Sequence, residues 1–146
     1  MAEIKDKLIK LLNEALKLEH AAENQYLSQA ELVNGLYAEK IIERLTEIAS
    51  DEAKHQKQFR TLIGDYLNAE PTTGIAETHH ASNIEQILKV NIADEKHAVD
   101  VYKNIYATII ENKENLPYIF ETLEHEIRHI IIDEEEHIVE LTKILG

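Results

Sequence analysis

Asp51-Glu52-Ala53-Lys54-His55 returns further along the chain as Asp133-Glu134-Glu135-Glu136-His137. In both copies an aspartate precedes a Glu-x-x-His pair. On a helix, residues three apart share one face, one turn from each other, so the carboxylate and the imidazole can grip one metal ion. The spacing alone is weak evidence in a glutamate-rich chain. With 22 Glu among 146 residues, eight histidines would give one such pair by chance, and there are four. The other two are Glu77/His80 and Glu126/His129.

The surrounding sequence sets these pairs on long helices. Gly and Pro together number six, too few for the turns of a many-stranded sandwich or barrel. Four segments carry the helical period. The first runs from Glu3 to Asn34 and stops at Gly35, a C-terminal cap. The second runs from Tyr37 to Leu67, with Ile41, Leu45, Ile48, Phe59 and Leu62 on one stripe. Asn68 to Ala81, containing Pro71, Thr72, Thr73 and Gly74, reads as a loop. Ser82-Asn83-Ile84-Glu85 reads as a capping box opening a third helix that runs to Glu111. A turn at Asn112 to Asn115 leads into the fourth, with Pro117 in its first turn. Helices of about 30 residues are about 45 Å long, and the expected fold is all-α, a four-helix bundle over residues 1–146 as a single domain. The long connection between helices two and three reaches about 46–50 Å if extended, enough to cross the whole bundle.

The two halves resemble each other: Glu19 precedes Tyr26 by the same interval at which Glu95 precedes Tyr102. Counting outward from the hairpins separates the candidate ligands. Glu19 is 16 residues before Gly35 and Glu52 is 17 after it; about residue 114, Glu95 is 19 before and Glu134 is 20 after. These four therefore stand at mid-height, while Glu126 misses that level by about 12 Å and Glu77/His80 fall in the loop. Each of the four also lies on an apolar stripe, as Glu19 does among Leu8, Leu12, Ala15, Ala22, Tyr26 and Ala30. Four buried ionised carboxylates would be costly without compensation. Two divalent cations balance them, with His55 and His137 as neutral ligands. Carboxylate oxygens with one imidazole per ion suit iron or manganese better than calcium or structural zinc. Asp51 and Asp133 are candidate acceptors for the outer ring N–H groups of the histidines. Tyr26 and Tyr102, two turns from Glu19 and Glu95, either hydrogen-bond the carboxylates or serve as aromatic core with their hydroxyls satisfied elsewhere. His125 and His129, spaced i, i+4 with Glu121, Glu126 and Asp133 nearby, read as a solvated face, the alternative being an outer metal site. His20, His79, His80 and His97 receive no role.

With those residues in place, the chain resembles the ferritin-like diiron carboxylate superfamily. Leu18 to Tyr26 resembles the first helix of bacterioferritin and Ile48 to His55 its second. The separations of 33, 3 and 40 residues between Glu19, Glu52, His55 and Glu95 match that subgroup without a gap. The resemblance implies Glu19, Glu52, His55, Glu95, Glu134 and His137 as ligands, with Glu52 and Glu134 bridging two iron ions per chain, manganese being the alternative. Three departures qualify it. The position after Glu52 is Ala53 where bacterioferritin carries a haem-ligating methionine, so no haem is expected. Only nine residues follow His137, too few for the fifth helix of storage cages, so a homodimer or small homo-oligomer is expected instead of a 24-subunit shell. Rubrerythrins carry a further glutamate where Ala98 stands, and a four-cysteine domain.

The chain has no cysteine, which excludes a disulfide scaffold, a thiolate zinc site, an iron–sulfur cluster and a cysteine nucleophile. A formal charge of −13 argues against nucleic acid and anionic lipid as partners. The N-terminus lacks the apolar run of a signal peptide and no segment is apolar enough to span a membrane, so a cytoplasmic setting is expected. The implied function is oxidation of Fe(II) by O2 or H2O2, as a ferroxidase or peroxide-detoxifying oxidoreductase needing an external electron donor for turnover. The alternatives are iron storage or binding without sustained turnover, and oxygenation of a small organic substrate, which needs an apolar pocket beside the metals.

Overall fold

A computed structural model describes residues 2–146. Its four long helices are α1 (Ala2–Ala30), α2 (Ala38–Thr61), α3 (Ile84–Glu111) and α4 (Phe120–Leu145). Helices α1 and α2 pack as one antiparallel hairpin and α3 and α4 as another; α1 also packs on α3, and α2 on α4. No helix among the described residues is long and apolar enough to cross a membrane.

The ends of the helices show where local chemistry overrides the simple period. Helix α1 ends at Ala30, short of the expected Asn34, because the chain tightens into i→i+3 bonds such as Leu32 N to Gln29 O at 2.9 Å. Gly35 then turns the chain with φ +104°, a left-handed value that L side chains resist. Helix α2 continues as a π-helical turn over Leu62–Tyr66. It stops at Asn68, whose φ of 54° is tolerated because Asn visits the left-handed region. The cap of α3 lies one residue later than the expected Ser82 box. Asn83 is extended and its side chain accepts from Gln86 N at 2.9 Å, while Gln86 Oε1 accepts from Ser82 N and Ser82 Oγ. Pro117 is not in the first turn of α4. Leu116 is buried and Tyr118 takes φ 75°, so the chain turns inward and then left-handed before the helix starts at Phe120.

Between Leu67 and Ile84 the chain crosses back over the outside of α1. Asn13 accepts from Thr72 N (2.8 Å), the Lys17 carbonyl accepts from Ala76 N (3.1 Å), His20 Nδ1 lies 2.7 Å from the Gly74 carbonyl, and Gln29 donates to the His79 carbonyl (3.0 Å). Those anchors span about 24 Å of helix. His20 is thus a strap anchor.

The interior is two apolar clusters with a polar layer between them. One holds Leu8, Leu12, Phe59, Tyr102, Ile105 and Ile127; the other holds Tyr26, Leu45, Ile48, Ile87 and Leu141. The layer between them contains Glu19, Glu52, His55, Glu95, Glu134 and His137, none more than 3% exposed.

Candidate metal centre

All six residues of that layer come from mid-helix, one carboxylate each from α1 and α3 and a Glu-x-x-His pair each from α2 and α4. They fall into two overlapping groups, Glu19, Glu52, His55 and Glu134 on one side and Glu52, Glu95, Glu134 and His137 on the other, with candidate ligand atoms within 4.8 Å of one another. Glu52 and Glu134 belong to both. Glu134 Oε1 lies 3.1 Å from His55 Nδ1 and 3.4 Å from His137 Nδ1; Glu52 Oε1 lies 3.4 Å and 3.6 Å from the same two atoms. Each of these two carboxylates thus lies within 3.6 Å of both imidazoles, a shared position.

The outer edges of this layer are hydrogen-bonded across the halves. His55 Nε2 lies 2.9 Å from Asp133 Oδ2 and His137 Nε2 lies 2.9 Å from Asp51 Oδ2. With Nε2–H donated to an aspartate, Nδ1 of a neutral ring turns its lone pair inward. The Tyr26 hydroxyl donates to Glu95 Oε1 and the Tyr102 hydroxyl to Glu19 Oε1, both at 2.7 Å. Each phenol therefore serves the carboxylate of the other half while its ring packs in an apolar cluster, and neither hydroxyl is satisfied elsewhere.

The atoms left unpaired are distributed over the whole layer. Glu19 Oε2, Glu52 Oε1, His55 Nδ1, Glu95 Oε2, Glu134 Oε1 and His137 Nδ1 are buried without a hydrogen-bond partner. Buried polar atoms are nearly always paired, yet here every residue of the cluster turns one orphan atom inward. Four carboxylate oxygens and two imidazole nitrogens fit two divalent cations in charge and in ligand type.

Burial and mutual repulsion shift the ionisable groups of the layer toward their protonated forms, Glu134 excepted. Burial, then repulsion from Glu134, raises Glu19, Glu52 and Glu95 above the carboxylate range. Burial pushes Glu134 up as well, but the imidazoles of His137 and His55 and the carboxyls of Glu52 and Glu95 packed against it outweigh this and hold Glu134 well below that range. Burial pulls His137 down, and the neighbouring carboxylates of Glu134 and Glu95 overcome this and raise it to about 11; His55 is raised likewise by Asp133, Glu134, Glu19 and Glu52. Both phenols are raised well above 10.0, by burial first and by the neighbouring carboxylates second, and stay neutral.

The remaining candidates lie elsewhere. Glu126 accepts from Gln58 Nε2 at 2.7 Å and stays outside the layer. Glu77 and His80 are exposed on the strap, and His125 and His129 are exposed on α4 with ring centroids 4.2 Å apart. A second buried polar group had no place in the sequence reading: Gln25 donates to Asn91 Oδ1 (2.9 Å) and Asp94 Oδ2 (2.8 Å), and Asn91 donates to Gln29 Oε1 (2.6 Å). The available signal was Asn91, a polar residue on the apolar stripe one turn before Glu95.

The family model for the ferritin-like domain matches residues 9–146. No protein of curated function matches the sequence. Among solved structures, a ferritin-like, diiron-carboxylate protein from Bacillus anthracis superposes with a TM-score of 0.89 at 23% identity, covering 100% of both chains. The bacterioferritin-related dodecameric thioferritin of Bacteroides fragilis gives 0.81 at 24% identity, covering 97% of this chain and 85% of that one. The bacterioferritin of Desulfovibrio desulfuricans gives 0.82 at 22% identity, covering 98% and 80%. At such identities the likeness carries the fold, and the family match over nearly the whole length carries the membership. The chain belongs to the ferritin-like domain family.

Proposed function

We propose that residues 1–146 act as one unit that binds two metal ions, iron in first place and manganese as the alternative, and oxidises Fe(II) with O2 or H2O2. The observation that carries this reading is the set of six inward-facing orphan atoms on Glu19, Glu52, His55, Glu95, Glu134 and His137. Bound there, the ions supply the electrons: two Fe(II) going to Fe(III) reduce one H2O2, with two protons, to two waters. The chain supplies the rest. Glu52 and Glu134 are the shared carboxylates, and the four glutamates together neutralise two divalent ions. Asp133 and Asp51 fix the ring orientation of His55 and His137. Tyr26 and Tyr102 hold Glu95 and Glu19 in place and are the phenols nearest the reaction. With no thiol in the chain, turnover draws on an external reductant or on fresh Fe(II). A cytoplasmic location belongs to the same proposal.

The small space beside the carboxylates favours this reading over oxygenation of an organic substrate. The cavity reaching Glu52, Glu95 and Glu134 has a volume of about 60 Å³, on a scale where one water takes about 10–15 Å³. That admits O2, H2O2 or a few waters. Storage is the second reading. The Bacteroides fragilis relative is a dodecamer, and a closed assembly of this chain retaining many irons would favour it, whereas a homodimer or small homo-oligomer would not.

The test is stopped-flow absorbance of the Fe(II)-loaded protein mixed separately with O2 and H2O2, with metal analysis. Oxidation faster than that of free Fe(II), with about two metals per chain, is expected. Oxidation no faster than free Fe(II) by either oxidant would leave a metal-binding bundle without this activity. Tyr26→Phe and Tyr102→Phe are expected to keep the metal and change the rate.

A further inference from the structure

A cleft of about 190 Å³ opens on the side of the bundle where α2 meets α4, and none of the six residues of the metal layer lines it. Its walls follow the helical period. Lys54, Gln58 and Leu62 stand four apart on α2 and its continuation, and Thr122 and Glu126 four apart on α4. The space stays open because each helix contributes a short side chain there, Thr61 from α2 and Thr122 from α4. The π-helical turn Leu62–Tyr66 shapes one end. Its wide bond, Leu67 N to Leu62 O at 3.0 Å, takes an extra residue into the turn. Buried Leu62 and the partly exposed ring of Tyr66 both line the cleft as a result.

The floor and the mouth call for opposite partners. At the floor Gln58 donates its Nε2 to Glu126 Oε2 at 2.7 Å. A carboxylate oxygen only accepts, so this bond fixes which way the amide points. Gln58 Oε1 is then left buried without a partner, and among the described residues it is the one such side-chain atom outside the metal layer. A buried acceptor of this kind is completed by a donor. At the mouth stand Lys54 and Lys57, both exposed. The lysine ion pairs of the described residues use Lys17, Lys89 and Lys103 instead. Two uncommitted ammonium groups, one turn apart, thus flank a cleft whose side walls are apolar.

We propose that this cleft binds a single-ring aromatic acid carrying a hydroxyl opposite its carboxylate. The hydroxyl donates to Gln58 Oε1, the ring lies against Leu62 and Tyr66, and the carboxylate meets Lys54 and Lys57. The size agrees: a cavity of about 150 Å³ holds one benzene ring, and the remaining volume takes the hydroxyl while the carboxylate reaches the mouth. Glu126 beside the floor repels an anion there, so the acid binds with its charged end outward. The site is separate from the metal centre and stands independently of the metal reading.

Calorimetric titration of the full-length protein with 4-hydroxybenzoate tests the site. Saturable binding of one molecule per chain is expected, with benzoate, which lacks the donor, and phenol, which lacks the charge, each about three- to tenfold weaker. Lys54→Gln combined with Lys57→Gln is expected to weaken binding about two- to fivefold at low salt, and the difference is expected to shrink at high ionic strength. Thr122→Leu fills the cleft and is expected to remove binding while leaving metal stoichiometry unchanged. No saturable binding of 4-hydroxybenzoate up to about 10 mM overturns the proposal, as does equal binding of all three compounds or wild-type affinity in a folded Thr122→Leu protein. Should Thr122→Leu fail to fold, the exposed lysine pair decides, and wild-type affinity at low salt overturns the site.

Discussion

The first helix pair and the second match at the centre and diverge away from it. At mid-height Glu19, Tyr26, Asp51, Glu52 and His55 have counterparts in Glu95, Tyr102, Asp133, Glu134 and His137. The supporting bonds all cross between halves: Tyr26 to Glu95, Tyr102 to Glu19, His55 to Asp133 and His137 to Asp51. Neither half holds its own ligands in place, so the centre exists only when both pack. Beyond it the match ends. Gln25, Gln29 and Asn91 form a buried polar cluster beneath the strap, while their register counterparts Val101, Ile105 and Ala15 sit in or against the dry core at the other end. The strap causes the difference: its backbone at His79 needs partners, and Gln25 and Gln29 supply them.

The largest expected effect tests the shared carboxylates. Glu52→Ala or Glu134→Ala is expected to abolish the two-metal state in metal analysis, because each belongs to both ligand groups, whereas Glu126→Ala is expected to leave it intact. Equal loss from all three would break the equivalence of the halves and the height argument together.

Metal and pH sharpen the comparison next. Glu19, Glu52, Glu95, His55 and His137 are all raised in the metal-free fold, so the folded state holds their protons more tightly than the unfolded chain. Their contribution is complete below the unfolded values, 4.5 for the glutamates and 6.5 for the histidines, and is lost as pH rises through the folded ones, toward about 11 for His137. Glu134 and Asp133 are depressed and contribute only above 4.5 and 3.8. Metal-free protein is therefore expected to be most stable in mild acid and to weaken as pH rises beyond 6.5. Metal displaces those protons. The gain in Tm on adding Mn(II) is expected to widen with pH, reaching about 5–10 °C at a hundredfold excess over Kd. Thermal melts with and without Mn(II) check this, and a gap that narrows with rising pH would count against the site.

A smaller effect probes the crossed aspartates. Asp51→Asn and Asp133→Asn are each expected to weaken metal binding by about ten- to a hundredfold, and by similar factors, since the two bonds have the same length. A large inequality in metal titrations would show that the two sites are not equivalent.

The smallest expected effect lies where the halves differ. Asn91→Ala leaves Gln25 and Gln29 short of a partner and is expected to cost about 1–3 kcal/mol in denaturant unfolding. Asn91→Leu, which removes the polar group but fills its volume, is expected to leave each glutamine one partner short and to recover only the packing share. Metal stoichiometry is expected to be unchanged in both.

Much of this architecture can be read without coordinates because it rests on period and count. Sparse glycine and proline, a helical stripe, and ligands equidistant from two hairpins place six residues in one layer through helix geometry alone, as the rise per residue is constant. Charge balance then names the partner, since four carboxylates on apolar stripes call for cations. The helix ends resisted such reading. Whether Ser82 or Asn83 caps α3, and whether Pro117 enters α4, depends on neighbouring φ values and on where Leu116 is anchored, choices separated by small energies. The crossing of Tyr26 to Glu95 and His55 to Asp133 and the polar cluster under the strap belong to the tertiary structure alone. They depend on which helix faces which and on where a segment without periodicity runs, and no spacing along a single chain encodes the distance between two side chains that meet only when the bundle closes.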